Sequence, residues 1–129
     1  WESYWRARNE EPLDDAETLK LRKDGTILEI GKKPKSINEI EGQYMGLMKF
    51  SPKGVKQIRD VFHLVSKNEE LLGKSIENSY MTDLLQAAID LGRPIQAVQV
   101  YGGWVEIDTV DDLKSEVTIE RLKLIKTMS

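Results

Sequence analysis

The sequence predicts an α/β protein, a mixed sheet with flanking helices built as a single unit over residues 1–129. Three observations carry that reading. An Asp-Gly pair joins two alternating apolar runs, two later stretches repeat apolar residues at helical spacing behind clear start signals, and further short alternating runs follow each of them. A chain of 129 residues buries roughly two thirds of the surface its unfolded form exposes, so no covalent or metal staple is needed. The absence of cysteine excludes disulfides, thiolate catalysis and cysteine-held zinc, and favours a cytoplasmic setting. A formal charge of −3 offers no overall basic field for nucleic acid, and no apolar run approaches the roughly 20 residues of a membrane span.

The elements follow in order. The opening "WESYWRARNEEPLDDAETL" has no initiator Met and places two tryptophans and a tyrosine in five residues. Rings exposed at a frayed end invite association. The expectation is a piece of a longer protein, with a homo-oligomer open to it through the exposed aromatic N-terminus; in an interaction module, exposed Trp1 and Trp5 would be the partner contacts. In "TLKLRKDGTILEIGKKP", the runs Thr18 to Arg22 and Thr26 to Ile30 form a β-hairpin, because Gly25 accepts positive φ without penalty. "GQYMGLMKF", residues 42–50, reads as a further strand, with Gly46 marking a bulge or a close approach. Ser51 and Pro52 then start a helix to about Lys67, with Val55, Ile58, Phe62 and Val65 as its apolar stripe. His63, the only histidine, sits beside that stripe as a boundary residue with no oriented partner in view.

"KNEELLGKSIENS" is a polar loop with room for a helical turn. "YMTDLLQAAIDLGRP" is a helix with Leu84, Leu85, Ala88 and Ile89 inward, stopped by Gly92 and Pro94. "IQAVQVY" and "WVEI" read as strands separated by Gly102 and Gly103, and "TVDDLKSEV" opens a final helix that reaches the C-terminus with a break.

The stretch "GGWVEIDTVDDL" is the most informative for chemistry. As a strand it would project Trp104, Glu106 and Asp108 from one face while Val105 and Ile107 enter the core. Thr109 and Asp112 are accounted for as a capping box. Glu106 and Asp108 are not, and carboxylates are depleted in strands. Magnesium takes one or two carboxylates and fills its remaining positions with water and phosphate, so a metal role stands beside the plainer one of acids at a helix start. The run "GKKPK" presents Lys32, Lys33 and Lys35 after a strand, either as a solvated turn or as a phosphate contact.

Taken together, "ILEIGKKP", "EGQYMGLMKFS", "SYMTDLLQAAI" and "WVEIDTVDDL" resemble the later half of a bacterial nucleotidyltransferase domain. "PLDDAETL" and "KPKSINEIEGQYMGLMKF" resemble its choline-phosphate cytidylyltransferase subgroup, which is allied to the sugar-phosphate nucleotidyltransferases. The resemblance implies the later part of a Rossmann-like fold and the transfer of a nucleoside monophosphate from a nucleoside triphosphate, CTP by preference. The acceptor would be an alcohol phosphate or phosphonate such as phosphocholine, and pyrophosphate would leave. It also implies a magnesium ion (Mg2+) held partly by Asp108, and Lys33 against the acceptor phosphate or the transferred phosphate. Gly46 would line the acceptor pocket, and Tyr44, Trp104 and Glu106 would hold the acceptor, whose quaternary ammonium would suit aromatic faces and a carboxylate. Gly31 stands where sugar-activating members carry a glutamate, which counts against a hexose phosphate. The Gly-rich triphosphate loop and the first metal aspartate of the family have no counterpart here, so this stretch is expected to be inactive alone. Two other readings compete: a non-catalytic interaction module that retains part of the fold, and a magnesium-dependent phosphohydrolase, which would need a water-activating base near Asp108.

Overall fold

The computed structural model describes residues 1–67 and 70–128. In chain order the elements are α1 (Glu2–Arg8), α2 (Pro12–Asp15), β1 (Leu19–Leu21), β2 (Ile27–Ile30), α3 (Pro52–Ser66), β3 (Glu70–Leu71), β4 (Lys74–Ser75), α4 (Met81–Asp90), α5 (Val110–Lys114) and α6 (Glu116–Met128), with 3-10 turns at Ile37–Glu39 and Ile76–Asn78. They group into two compact units, one made of Trp1–Asp15 with Val98–Ser129 and the other of Ala16–Ala97. The expected mixed sheet is corrected. Among the described residues there are two separate two-stranded antiparallel sheets, β1–β2 and β3–β4, with one isolated parallel bridge, Leu19 to Ile40. No helix among the described residues is long and apolar enough to cross a membrane.

The Ala16–Ala97 unit is organised by α4. Leu85 and Ile89 pack with Ile27 and Ile30 of the hairpin, while Ala87 and Ala88 pack with Val61 of α3 and Leu71 of β3. One ten-residue helix thus serves two apolar clusters, which is why it is buried nearly all round. The buried Gln86 adds a polar tie: its Oε1 accepts from the Ile30 N–H at 2.8 Å and its Nε2 donates to Asp90 at 2.8 Å. That bond satisfies a strand amide that would otherwise lack a buried partner. Lys74 of β4 donates to both oxygens of Asp83, whose Oδ2 also accepts from the Tyr80 N–H, closing the start of α4. At the other end, Gly92 (φ +71°) donates to Ile89 and Arg93 to Ala88, the two bonds of a Schellman stop.

Local signals hold where hydrogen bonds close locally. The hairpin forms, with Asp24 accepting from the backbone and hydroxyl of Thr26. Ser51 accepts from Gly54, and α3 runs as expected. Its inward stripe differs, however: Val61 is buried with Ile58 and Val65 beside it, whereas Val55 and Phe62 are exposed. His63 is exposed on the same helix, its ring near Phe62. The expected loop over residues 67–79 contains the β3–β4 hairpin and a 3-10 turn; Asn68 and Glu69 lie outside the described residues.

Three expected strands are corrected. Residues 42–50 form none: Gly46 turns at φ +76° and Leu47 is 81% exposed. The run 95–101 begins along the hairpin, where Ile27 donates to Ile95 and Ala97 to Gly25, but gains only the single bridge Thr26 to Gln96, and Val98 onward is exposed. Residues 104–107 form no strand either, and Ile107 is exposed instead of entering the core. Alternation reports a side chain's preference for a pleated surface, whereas a strand exists only where a neighbouring backbone takes its bonds. Among the described residues, these stretches have no such neighbour over their full length.

Gly31 shows what the turn after β2 requires. Its φ is +81°, and a Cβ there would meet Thr82 Cβ at 2.6 Å and Oγ1 at 2.7 Å. The first turn of α4 therefore sits where any side chain at position 31 would go, which gives a packing reason for the absent glutamate. Gly31→Ala is expected to destabilise by about 2–4 kcal/mol, combining left-handed strain with overpacking. Gly92→Ala, strained but facing open space, is expected to lose only about 1 kcal/mol. Urea unfolding of both variants checks this, and equal losses would remove the packing argument.

Candidate active site

The residues singled out in the sequence fall in both units: Lys33, Tyr44 and Gly46 in Ala16–Ala97, and Trp104, Glu106 and Asp108 in the other. In the first group, Lys33 is exposed in the turn that Gly31 begins. Its neighbour Lys32 is paired with Glu29 at 2.8 Å, and Lys20 bridges Glu29 and Glu39. Hydrogen bonds from Lys32 and then Lys20 hold the Glu29 carboxyl below its ordinary value. Tyr44 packs its ring on the Ile27–Ile30–Leu85–Ile89 cluster, and burial, then Glu17, raises its hydroxyl above the ordinary tyrosine value. Gly46 makes no close approach to the chain itself; nothing lies within 4 Å of its Cβ position.

The second group is built by α1, an element without a clear sequence signal. Glu2 and Arg6 pair along its exposed side at 2.8 Å, and acid-first, base-last ordering complements the helix dipole. Tyr4, Trp5 and Arg8 share the other side. Tyr4 and Trp5 are 2% and 3% exposed, so the expected exposure of Trp5 is corrected. They lie against Trp104, edge-on for Tyr4 at 5.5 Å and tilted for Trp5 at 6.1 Å. The Tyr4 hydroxyl fixes the backbone nearby, accepting from the Glu106 N–H at 2.8 Å and donating to the Glu106 carbonyl at 3.3 Å. A side chain thus does for residue 106 what a neighbouring strand would have done.

Arg8 is the residue beside these carboxylates that sequence reading missed. Its side chain is 9% exposed, and Nη2 donates to Asp108 Oδ2 at 2.8 Å and to Asp112 Oδ1 at 3.2 Å. Glu106 Oε2 lies 3.9 Å from Nη1, too far for a hydrogen bond, and both atoms are buried without hydrogen-bond partners. Left unpaired, such a guanidinium would cost several kcal/mol, so the carboxylates are a condition of its burial. Burial alone would lower Arg8, but hydrogen bonds to Asp108 and Asp112 outweigh it and raise the group. Burial and then the Asp108 charge raise Glu106 above its ordinary value, with Arg8 opposing. Asp112 goes the other way, to about 2, chiefly through the Thr109 hydroxyl and Arg8.

Asp112 also closes the expected capping box: Thr109 Oγ1 accepts from its N–H at 3.1 Å, and its Oδ2 accepts from the N–H of Thr109 and, at 3.2 Å, of Asp108. The helical break after Lys114 falls at Ser115, which starts α6.

Two of the rings are already taken by the chain's own cations. Arg121 stands 3.9 Å over the Tyr4 ring, and Arg8 lies 5.7 Å from both Tyr4 and Trp5. These contacts occupy Tyr4 and Trp5; none of them is to Trp104 or Tyr44, the rings singled out for the acceptor. For magnesium, no group of three or more acidic or histidine side chains able to hold a metal exists among the described residues. Asp108 is 62% exposed and gives Arg8 only Oδ2. One available carboxylate oxygen fits an ion that keeps most of its shell as water and substrate phosphate, and does not fit an all-protein cage.

No family model matches the chain, and no solved structure matches it. It is 41% identical over 121 residues to the CTP:phosphoglutamine cytidylyltransferase of Campylobacter jejuni subsp. jejuni serotype O:2. That match covers 94% of this chain, which spans 47% of the relative's length. Nearly the whole chain is therefore similar to about half of a cytidylyltransferase.

The Asp112 contribution to stability has a defined sign. Its folded value lies below the ordinary 3.8, so between the two the unfolded chain binds more protons, and stability rises with pH. The melting-temperature gap between wild type and Asp112→Asn should be widest above pH 5 and should close as pH falls toward 2. A gap independent of pH would exclude the carboxylate–Arg8 interaction as its source.

Proposed function

We propose that this chain is the acceptor-side part of a nucleotidyltransferase that transfers a cytidylyl group from CTP to a small phosphorylated acceptor and releases pyrophosphate. The similarity to a cytidylyltransferase along 94% of the chain carries the proposal. The four sequence blocks, with Asp108 exposed at the start of a capped helix, support it. The relative's name pairs CTP with phosphoglutamine. Its acceptor favours a phosphorylated amino-acid-like or alcohol acceptor over one selected by its quaternary ammonium.

In this reading the later part of a Rossmann-like domain contributes positioning and charge. Lys33 holds the acceptor phosphate as a compact cation, and the open space beside Gly46 admits the acceptor to the Tyr44 wall. Asp108 offers one oxygen to magnesium, which when bound supplies charge neutralisation at the transferred phosphate. The acceptor phosphate oxygen attacks the α-phosphorus of CTP, the new P–O bond forms as the bond to pyrophosphate breaks, and no covalent protein intermediate is required.

One observation favours the non-catalytic reading. Asp108 already has a structural partner in Arg8, so a purely architectural role would account for its place. The two readings separate in the full-length protein, assayed for pyrophosphate release with CTP and a panel containing phosphoglutamine, phosphocholine and a hexose 1-phosphate. Asp108→Ala is expected to lower magnesium-dependent transfer by at least about 100-fold with the fold retained. Lys33→Ala is expected to raise the acceptor KM about tenfold or more. Wild-type turnover in Asp108→Ala would exclude the metal role, and no pyrophosphate from any acceptor would favour the interaction module.

A further inference from the structure

We infer that Arg8 is a positioning residue for Asp108, its buried guanidinium fixing the carboxylate through Nη2 so that one oxygen remains available to a divalent cation. The inference rests on the reading of Asp108 as a magnesium ligand and assigns the device that presents it. Arg8, Asp108 and Asp112 form a ring that closes through the Asp108 backbone. Arg8 Nη2 donates to Asp108 Oδ2 at 2.8 Å and to Asp112 Oδ1 at 3.2 Å, and Asp112 Oδ2 in turn accepts from the Asp108 N–H at 3.2 Å. Asp108 is thereby held at both its carboxylate and its backbone by the same pair of residues.

Arg8 itself is locked. Its side chain is 9% exposed, its guanidinium lies 5.7 Å from the rings of both Tyr4 and Trp5, and it leaves α1 on the side that those buried rings occupy. Asp108, by contrast, is 62% exposed, and without Arg8 its carboxylate would sample several rotamers in water. Outer-sphere partners of this kind orient a ligand and are commonly worth 10–100-fold in metal affinity. A lysine at position 8 would keep the charge but not the planar guanidinium that stands by the Tyr4 and Trp5 rings, so its ammonium would not be held in the same place.

The geometry also admits an opposite role, in which the guanidinium is a built-in cation that competes with the metal for Asp108. The two roles differ in sign. Mn2+ serves as the probe, its enhancement of water-proton relaxation followed during titration of the full-length protein saturated with a non-hydrolysable CTP analogue, with the protein-free Mn2+–analogue solution as the blank. The variants are Arg8→Lys, Arg8→Met, Asp108→Asn and, as a control on the exposed side of α1, Arg6→Lys. Arg8→Lys is expected to weaken Mn2+ binding about 10–100-fold, approaching Asp108→Asn, while Arg6→Lys binds like wild type. Circular dichroism establishes that each variant is folded, and if Arg8→Met is not, Arg8→Lys decides. Unchanged or tighter Mn2+ binding in Arg8→Lys overturns the inference, tighter binding identifying Arg8 as a competitor. If Asp108→Asn alone weakens Mn2+, the metal reading stands and the Arg8 inference falls; if Asp108→Asn has no effect, the metal reading falls and Arg8 with it.

Discussion

A guanidinium withdrawn from water needs carboxylates, and Arg8 obtains them from a stretch of chain about a hundred residues away. That requirement orders the unit formed by Trp1–Asp15 and Val98–Ser129. The same side of α1 buries Tyr4, whose hydroxyl takes both backbone groups of Glu106, and Trp5, which lies against Trp104. No strand pairs with residues 104–108 within the described chain. Their conformation is set by the hydroxyl and the guanidinium from one short helix and by the capping aspartate that follows. A seven-residue helix is marginal in isolation, so α1 and the acidic stretch depend on each other.

The Ala16–Ala97 unit obeys a different constraint, the need of one helix to satisfy two apolar clusters and a strand end. Leu85 and Ile89 face the hairpin, Ala87 and Ala88 face α3, and Gln86 completes the amide of Ile30. Because α4 also occupies the place of a side chain at position 31, the turn carrying Lys32 and Lys33 is fixed by packing. The basic turn proposed for phosphate contact is thus shaped by the core beneath it, with Lys32 paired to Glu29 and both lysines exposed.

What was legible in the sequence is what closes within a few residues. Asp24 and Gly25 make the hairpin, Ser51 with Pro52 starts α3, Gly92 stops α4, and Thr109 with Asp112 forms the cap, each through bonds between residues no more than five positions apart. The three missing strands share the opposite property, since alternation in "GQYMGLMKF", "IQAVQVY" and "WVEI" states a preference but supplies no pairing partner. Arg8 was illegible for the same reason: in "WRARNEEP" it is one charge among several, and only folding reveals which carboxylates it meets. The one available clue was Glu106 and Asp108 themselves, acids in an apolar run that required a cation from somewhere.

The central claim is that side chains of α1, in place of a neighbouring strand, hold the acidic stretch in position. Amide hydrogen exchange at Glu106, followed by NMR, tests it most directly, because that N–H has the Tyr4 hydroxyl as its acceptor at 2.8 Å. The account predicts exchange at least about tenfold slower than in an unstructured peptide, lost when Tyr4→Phe removes the acceptor while the fold remains. Peptide-like exchange at Glu106 in the wild type, or protection that survives Tyr4→Phe, would contradict it.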